Sequence, residues 1–118
     1  MDLQAEAEAI KTGFIKCQKL LIAIGDETRQ SIIAALMEAG CEGLRVGEIT
    51  AKTHLSRPAV SHHVKILLDC GLIGLDRQGT KNFYYLVIGD GFMNLCDLVN
   101  RITRFRDAAD CQEADHAI

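Results

Sequence analysis

Apolar residues recur every three or four positions over five stretches of the chain, which is the spacing that gives an α-helix one apolar face. The stretches predict helices over residues 3–24, 26–40, 46–53, 56–71 and 92–109. Residues 72–87 instead hold two short apolar and aromatic runs around a polar turn, a pattern typical of a β-hairpin. The predicted architecture is mainly α with a small β wing, in the order α-α-α-α-β-β-α.

Each predicted helix carries apolar positions that should face a core. In chain order these are Ile10, Phe14, Cys17, Leu21, Ile24, Ile32, Ile33, Leu36, Met37, Ile49, Val60, Val64, Leu67, Leu68, Phe92, Leu95, Cys96, Val99, Ile102 and Phe105. The first and last helices carry more apolar surface than a small core can cover, which favours a symmetric dimer that buries both helices. The alternative is that these two helices cap the core of a monomer.

The length of 118 residues suits one domain with a core of useful size. We therefore predict that residues 1–118 form a single domain. Within it we expect residues 46–71 to form a helix-turn-helix and 72–87 a β wing, with 1–25 and 90–109 as dimerisation helices.

Small polar and basic side chains occupy the outer face of the fourth predicted helix. Its first turn contains proline, where a missing N–H costs nothing, and Gly71 is expected to end it in the left-handed conformation. No acidic residue interrupts the outer face before Asp69, unlike an ordinary solvated helix. The residues predicted here to reach phosphates and base edges of DNA are the N-cap Ser56, Arg57, Pro58, Ser61, His62 and Lys65.

Two adjacent histidines in this helix are expected to act differently. His62 points outward, whereas His63 lies beside the apolar face and is expected to form a hydrogen bond inside the domain. Neighbouring residues of a helix point about 100° apart. The pair is therefore not predicted to chelate a metal ion.

The predicted hairpin has a polar turn over residues 76–81, in which Gly79 can supply a positive φ. Arg77 and Lys81 flank the tip of the turn, within reach of phosphates or a minor groove. A surface hairpin alone says little about function. Directly after a basic helix, it favours a DNA-binding wing.

The net charge of −3 is unevenly distributed. Residues 45–85 carry six basic and three acidic side chains, a net charge of +3, whereas the segments on either side each carry −3. The distribution matters more than the total for steering a protein to DNA. The central segment is therefore compatible with DNA binding.

Several classes of protein are disfavoured by the sequence. No apolar run approaches the length of a membrane span, and the acidic N-terminus lacks the basic start of a secretory signal. We therefore expect a cytoplasmic protein, in which an odd number of cysteines, five, would remain reduced. The glycine-rich phosphate loops and the HExxH and GxSxG motifs do not occur, so we do not expect an enzyme.

The order of elements, the segment LSRPAVSHHVKILLDCGLI and the hairpin DRQGTKNFYYL resemble the ArsR/SmtB family of winged helix-turn-helix repressors. The segments IAIGDETRQSIIAAL and LRVGEI are also similar, so the resemblance spans roughly residues 18–106. It implies a homodimer that binds an imperfect palindromic operator and leaves it when a ligand binds or a cysteine is modified. The alternative is a winged-helix module that binds another protein, although such an interface would favour aromatic anchors.

The resemblance also indicates where metal ions bind in the family. One site uses a Cys-x-Cys pair at the start of the third helix, and another uses Asp-x-His followed by His-x-x-Glu on the last helix. The matching positions here are Arg45 and Gly47 for the first site, and Asp90, Phe92, Thr103 and Arg106 for the second. Of these residues, only Asp90 matches a metal ligand of the family, so we predict neither metal site.

Five cysteines remain as candidate sensors. Cys17, Cys96 and Cys70 are expected to be small core residues, whereas Cys41 and Cys111 are expected to be exposed and reactive. Two hypotheses stay open. Cys41 and Cys111 could sense an oxidant or persulfide together, or Cys17, Cys96 and Cys111 could hold a soft metal ion across a dimer.

Overall fold

The computed structural model describes residues 1–109, which form two compact units. One unit contains residues 1–18 together with the described residues from 90 onward, and the other contains residues 19–89. Within residues 1–109, no helix combines the length and hydropathy that a membrane span requires. The single domain expected over the whole chain stays a prediction.

Within residues 1–109, the structure confirms a mainly α chain with a β wing before the last helix, with one α-helix more than the predicted order. The helices are α1 (Leu3–Lys16), α2 (Gln18–Ile24), α3 (Glu27–Ala39), α4 (Val46–Thr53), α5 (Arg57–Asp69) and α6 (Asp90–Ala109). A short 3₁₀ turn, Gly40–Glu42, follows α3, and the antiparallel strands β1 (Ile73–Gln78) and β2 (Lys81–Leu86) form the wing.

The prediction of one helix over residues 3–24 is wrong, because the chain leaves the helical conformation at Cys17 (φ −93°, ψ 4°). The backbone N–H of Cys17 still donates to the Gly13 carbonyl (3.0 Å), so the break is local. The apolar spacing continues across the break, and periodicity therefore could not reveal it. Phe14, predicted to be in the core, is exposed, whereas Leu20 and Ala23 of α2 are buried.

The predicted wing turn is longer than the observed one. Gln78 pairs with Lys81, so only Gly79 (φ 64°) and Thr80 lie between the strands. Residues 76–78 and 81, which were predicted to be part of the turn, pair across the two strands instead. This is possible because an exposed hairpin needs no apolar side chains at its tip. The last helix also differs, since it begins at Asp90 rather than at residue 92.

The core of the 19–89 unit lies where α3, α4 and α5 pack against one another and against the base of the wing. Its completely buried large side chains are Ile32, Leu36, Ile49, Val60, Leu67 and Leu72. Five of these six were predicted from the helical spacing. Met37 was predicted as well, but it is 60% exposed, because it points about 100° away from Leu36 on the same helix.

A buried arginine that sequence reasoning missed joins three helices of this unit. Arg29, on α3, is only 8% exposed. Its Nε donates to the Ala23 carbonyl (2.7 Å) and its Nη2 to the Ile22 carbonyl (3.1 Å), at the end of α2. Its Nη1 lies 3.2 Å from Nδ1 of His63 on α5, which confirms the predicted internal hydrogen bond of His63. The last carbonyls of a helix lack partners within the helix. Here the guanidinium donates hydrogen bonds to two such carbonyls.

Asp26 caps α3. Its Oδ1 accepts the backbone N–H of Arg29 at 2.9 Å. This hydrogen bond, helped by the positive charge of Arg29, holds the pKa of the Asp26 carboxyl below its usual range. Residue 29 therefore donates from its backbone to the start of α3 and from its side chain to the end of α2.

The other unit pairs α1 with α6. Leu98 is buried against Gly13, where an added Cβ would lie 2.9 Å from Leu98 Cδ1. Arg101 Nη1 donates to Glu6 Oε1 at 2.9 Å across the same pair of helices. The prediction that Cys96 is a core residue is wrong for the chain described here, because two helical positions separate it from Leu98 and turn it to the opposite side.

We expect Arg29→Met to lower the free energy of unfolding by about 1–3 kcal/mol, because the Ala23 and Ile22 carbonyls lose their donors. Methionine keeps most of the apolar packing of the arginine stem, so the change isolates the hydrogen bonds. Urea unfolding followed by circular dichroism measures the effect. The control, Arg104→Met at an exposed position of α6, should change stability by no more than about 0.5 kcal/mol. Equal midpoints for the two variants would contradict the structural role of Arg29.

Candidate nucleic-acid interface

A tight turn joins α4 to α5. His54 ends α4 in the left-handed conformation (φ 59°), and its backbone N–H donates to the Thr50 carbonyl at 2.9 Å. Two residues later Ser56 begins the next helix, where its Oγ accepts the Ala59 N–H at 3.2 Å. Two helices joined by such a short turn are the arrangement of a helix-turn-helix. The predicted N-cap of Ser56 is confirmed.

One face of α5 is buried and the other is open. Val60, Val64 and Leu67 are buried, while the cap Cys70 is partly buried and its Sγ donates to the Leu67 carbonyl (3.4 Å). Gly71 then adopts a φ of 79°, as predicted. The structure exposes all six residues predicted for DNA contacts, namely Ser56, Arg57, Pro58, Ser61, His62 and Lys65.

The wing carries its two predicted basic residues on exposed positions. Arg77 and Asn82 face each other across the hairpin, and Arg77 Nε donates to Asn82 Oδ1 at 3.1 Å. Lys81 begins β2 directly after the turn. The cross-strand hydrogen bond holds the stem of Arg77 while its remaining N–H groups face solvent.

The base of the wing is attached to the segment that precedes α4, a contact that sequence reasoning missed. The backbone groups of Leu44 and Tyr84 exchange two hydrogen bonds of 2.8 Å each. Gly43 (φ 72°) makes this approach possible, because a Cβ at that position would collide with the Tyr84 carbonyl. The only signal in the sequence was a glycine in a predicted connection.

A groove lies between this segment, the start of α5 and the start of β2. Its volume is about 350 Å³. The groove is lined by Arg45, Val46, Gly47, Glu48, Arg57, Thr80, Lys81, Asn82 and Tyr84. It brings Arg57 and Lys81 together, and it adds Arg45, which the sequence did not single out as a DNA contact. A basic residue just before a predicted helix could have drawn attention to it.

The candidate sensor cysteines occupy different environments. Cys41 is exposed in the 3₁₀ turn, as predicted, and Cys96 is exposed on α6. Cys17 is only 3% exposed, which confirms its predicted burial. Cys111, named in both sensor hypotheses, lies outside the described residues. Among residues 1–109, no three His, Cys, Asp or Glu side chains come together as metal ligands would.

A helix-turn-helix whose second helix exposes polar and basic residues, followed at once by a basic β-hairpin, defines a winged helix-turn-helix DNA-binding protein. The particular family follows from comparisons with known proteins. A family model described as "Bacterial regulatory protein, arsR family" matches residues 26–74. This segment contains α3, α4, α5 and the start of the wing.

Two proteins of related sequence match this chain over most of their own length. An uncharacterized helix-turn-helix-type transcriptional regulator of Methanocaldococcus jannaschii is 36% identical over 72 residues, with 61% of this chain and 79% of that protein covered. The transcriptional repressor SdpR of Bacillus subtilis is 30% identical over 82 residues, with 67% of this chain and 88% of SdpR covered. The chain belongs to the ArsR family of bacterial regulatory proteins, and it is a DNA-binding transcriptional regulator.

A solved structure shares the fold. An ArsR-like transcriptional regulator from Rhodococcus sp. RHA1 superimposes with a TM-score of 0.71, at 21% identity, with 89% of this chain and 94% of that chain covered. The likeness therefore extends well beyond the segment matched by the family model.

We expect Gly43→Ala to destabilise the attachment of the wing more than the matched change Gly79→Ala. Both glycines have a positive φ, which should cost an alanine about 1 kcal/mol of backbone strain at Gly79. At Gly43 the strain should be larger, because its ψ of −172° places it in a region essentially restricted to glycine. An added Cβ meets nothing within 4 Å at Gly79 but collides with the Tyr84 carbonyl at Gly43, which should cost about 1–3 kcal/mol more. Urea unfolding of both variants measures the difference. Equal losses of stability would show that the close approach carries no weight.

Proposed function

We propose that the protein is a homodimeric, cytoplasmic repressor that binds a palindromic operator through α5 and the wing. The observation that carries this proposal is the outer face of α5. Before Asp69 it exposes six polar, basic or small residues and no carboxylate, and two further cations follow on the wing. The acidic remainder of the chain would discourage contacts with DNA elsewhere on the surface.

The proposed contacts divide by chemistry. Ser61 and His62, in the middle of the exposed face, would read base edges in the major groove. Lys65 and the two wing residues, Arg77 and Lys81, would neutralise phosphates, which positions a protein without reading sequence. Ser56, Arg57 and Pro58 lie in the first turn of α5 or just before it, where recognition helices approach the DNA.

Dimerisation is proposed through α1 and α6. Both helices expose large apolar side chains in the single chain, including Phe14, Ile15, Met93, Val99 and Ile102. Large exposed apolar side chains on neighbouring helices are typical of a surface that another molecule covers. A two-fold symmetric pair would present two copies of α5, which is why we expect an operator with two inverted half-sites.

We infer repression, and the release of the protein from DNA, from the family to which the chain belongs. SdpR is a transcriptional repressor, and we extend that activity to this chain. For release, we keep the two thiol hypotheses open: modification of Cys41 together with Cys111, or binding of a soft metal ion by Cys17, Cys96 and Cys111. The exposure of Cys41 supports the first hypothesis, since a thiolate must be accessible to react.

Fluorescence anisotropy with DNA from upstream of the protein's own gene tests the proposed function. We expect binding that weakens steeply with added salt, and we expect Arg57→Ala to weaken it about tenfold or more. Arg104→Ala, which removes the same charge from an exposed position of α6, should have little effect. Binding no tighter than to a random duplex would favour the alternative, a winged-helix module that binds another protein.

A cysteine-to-serine series tests release. Zinc, cadmium, arsenite and a persulfide donor are added in turn to the complex with DNA, and the anisotropy is followed. If Cys41 senses a persulfide, Cys41→Ser should abolish release by the donor, because the modified thiol is gone. Cys70→Ser is the control, since Cys70 belongs to neither hypothesis. Release that survives all five substitutions would rule out both thiol hypotheses.

A further inference from the structure

We propose that the groove lined by Arg45, Arg57 and Lys81 binds one phosphate of the DNA backbone. The proposal rests on the proposed function and adds a site to it, because Arg45 and the first turn of α4 were not among the predicted contacts. All lining residues lie within the 19–89 unit. The three cations come from three separate elements: the residue before α4, the first residue of α5 and the first residue of β2.

The charges of the groove are unbalanced. In the described part of the chain, none of the three cations takes part in an ion pair. Glu48 is the one carboxylate among the lining residues, and its Oε1 already accepts the backbone N–H of Arg45 at 3.0 Å. That carboxylate caps the helix, and with three cations against this one negative charge the groove keeps a net positive charge.

The position of Arg57 adds to this imbalance. A Cβ at Gly47 would lie 3.0 Å from Arg57 Nη2, so the guanidinium sits directly on the first turn of α4. The N-terminus of a helix carries a partial positive charge, and a cation placed there is unfavourable until an anion arrives. The absence of a side chain at position 47 is what leaves room for this arrangement.

A phosphate fits these groups. Guanidinium groups bind phosphate oxygens with paired, charge-assisted hydrogen bonds, and free N–H groups at a helix N-terminus add further donors. Two of the cations belong to the first turn of α5 and to the wing, the elements proposed to lie on DNA. A backbone phosphate held between them would fix the distance of α5 from the duplex, which is the role of phosphate contacts in recognition.

Salt-dependent binding of the full-length chain tests the site with Arg45→Ala and a matched control, Lys52→Ala. Both changes remove one exposed positive charge from the α4 region, but only Arg45 lines the groove. The probes are a duplex from upstream of the protein's own gene and a shuffled duplex of equal composition. We expect Arg45→Ala to weaken binding to both duplexes about tenfold and to reduce the slope of log K against log salt by about one. Lys52→Ala should leave both quantities unchanged.

Gly47→Ala provides a second variant that keeps every charge. The added Cβ should displace the Arg57 guanidinium, while alanine is favourable inside a helix. We therefore expect weaker binding to both duplexes with an unfolding midpoint no lower than that of the wild type. Unchanged binding of this variant would contradict the assigned position of Arg57.

The outcomes separate the site from the function and from another source of phosphate. If the wild type binds DNA but Arg45→Ala behaves like Lys52→Ala, the phosphate site is wrong and the proposed function stands. If inorganic phosphate binds the wild type more tightly than Arg45→Ala while the two proteins bind DNA equally, the groove binds a free anion and the assignment to the DNA backbone is overturned. A wild type that binds neither duplex refutes both proposals.

Discussion

The arrangement of the 19–89 unit depends on one buried guanidinium. The side chain of Arg29 extends from α3 and donates two hydrogen bonds to the last carbonyls of α2. Its third nitrogen lies within hydrogen-bond distance of His63 on α5. A buried charge without such partners would be costly, so the three elements are held together by the need to satisfy it. His63 is the neighbour of the exposed His62 in α5, and the same interaction therefore links the buried guanidinium to the helix proposed to read DNA.

A second constraint attaches the wing. The hydrogen bonds between Leu44 and Tyr84 extend the two-stranded hairpin toward the start of α4, and Gly43 permits the close approach. A lone hairpin is marginally stable in water, and this additional pairing gives it a fixed base. Because the wing is held beside α4, Lys81 comes to lie in the same groove as Arg45 and Arg57.

Charge and shape are thus connected in this chain. The net charge of −3 does not describe the surface that the central segment presents, where basic residues from the position before α4, the start of α5 and the wing gather around one groove. The acidic residues lie mostly in the flanking segments. A DNA-binding protein with this distribution relies on local rather than total charge for its attraction to phosphates.

The sequence alone determined the features that depend on local chemistry. Apolar spacing located α3, α4 and α5 and identified Ile32, Leu36, Ile49 and Val60 as core. Short-range rules identified Ser56 as the cap of α5 and Gly71 as its end, because both act within one turn of the chain. The exposed face of α5 followed from the same spacing.

Only the tertiary structure decided the features that depend on residues far apart in the chain. Periodicity treats an arginine as a surface residue, so it could not show that Arg29 is buried by partners on α2 and α5. It continued through Cys17, where the first helix breaks, and it did not distinguish Leu98, which packs on Gly13, from its exposed neighbours. The groove of Arg45, Arg57 and Lys81 exists because Gly43 and Tyr84 bring the wing against the start of α4, a contact between segments about 40 residues apart that no local pattern encodes.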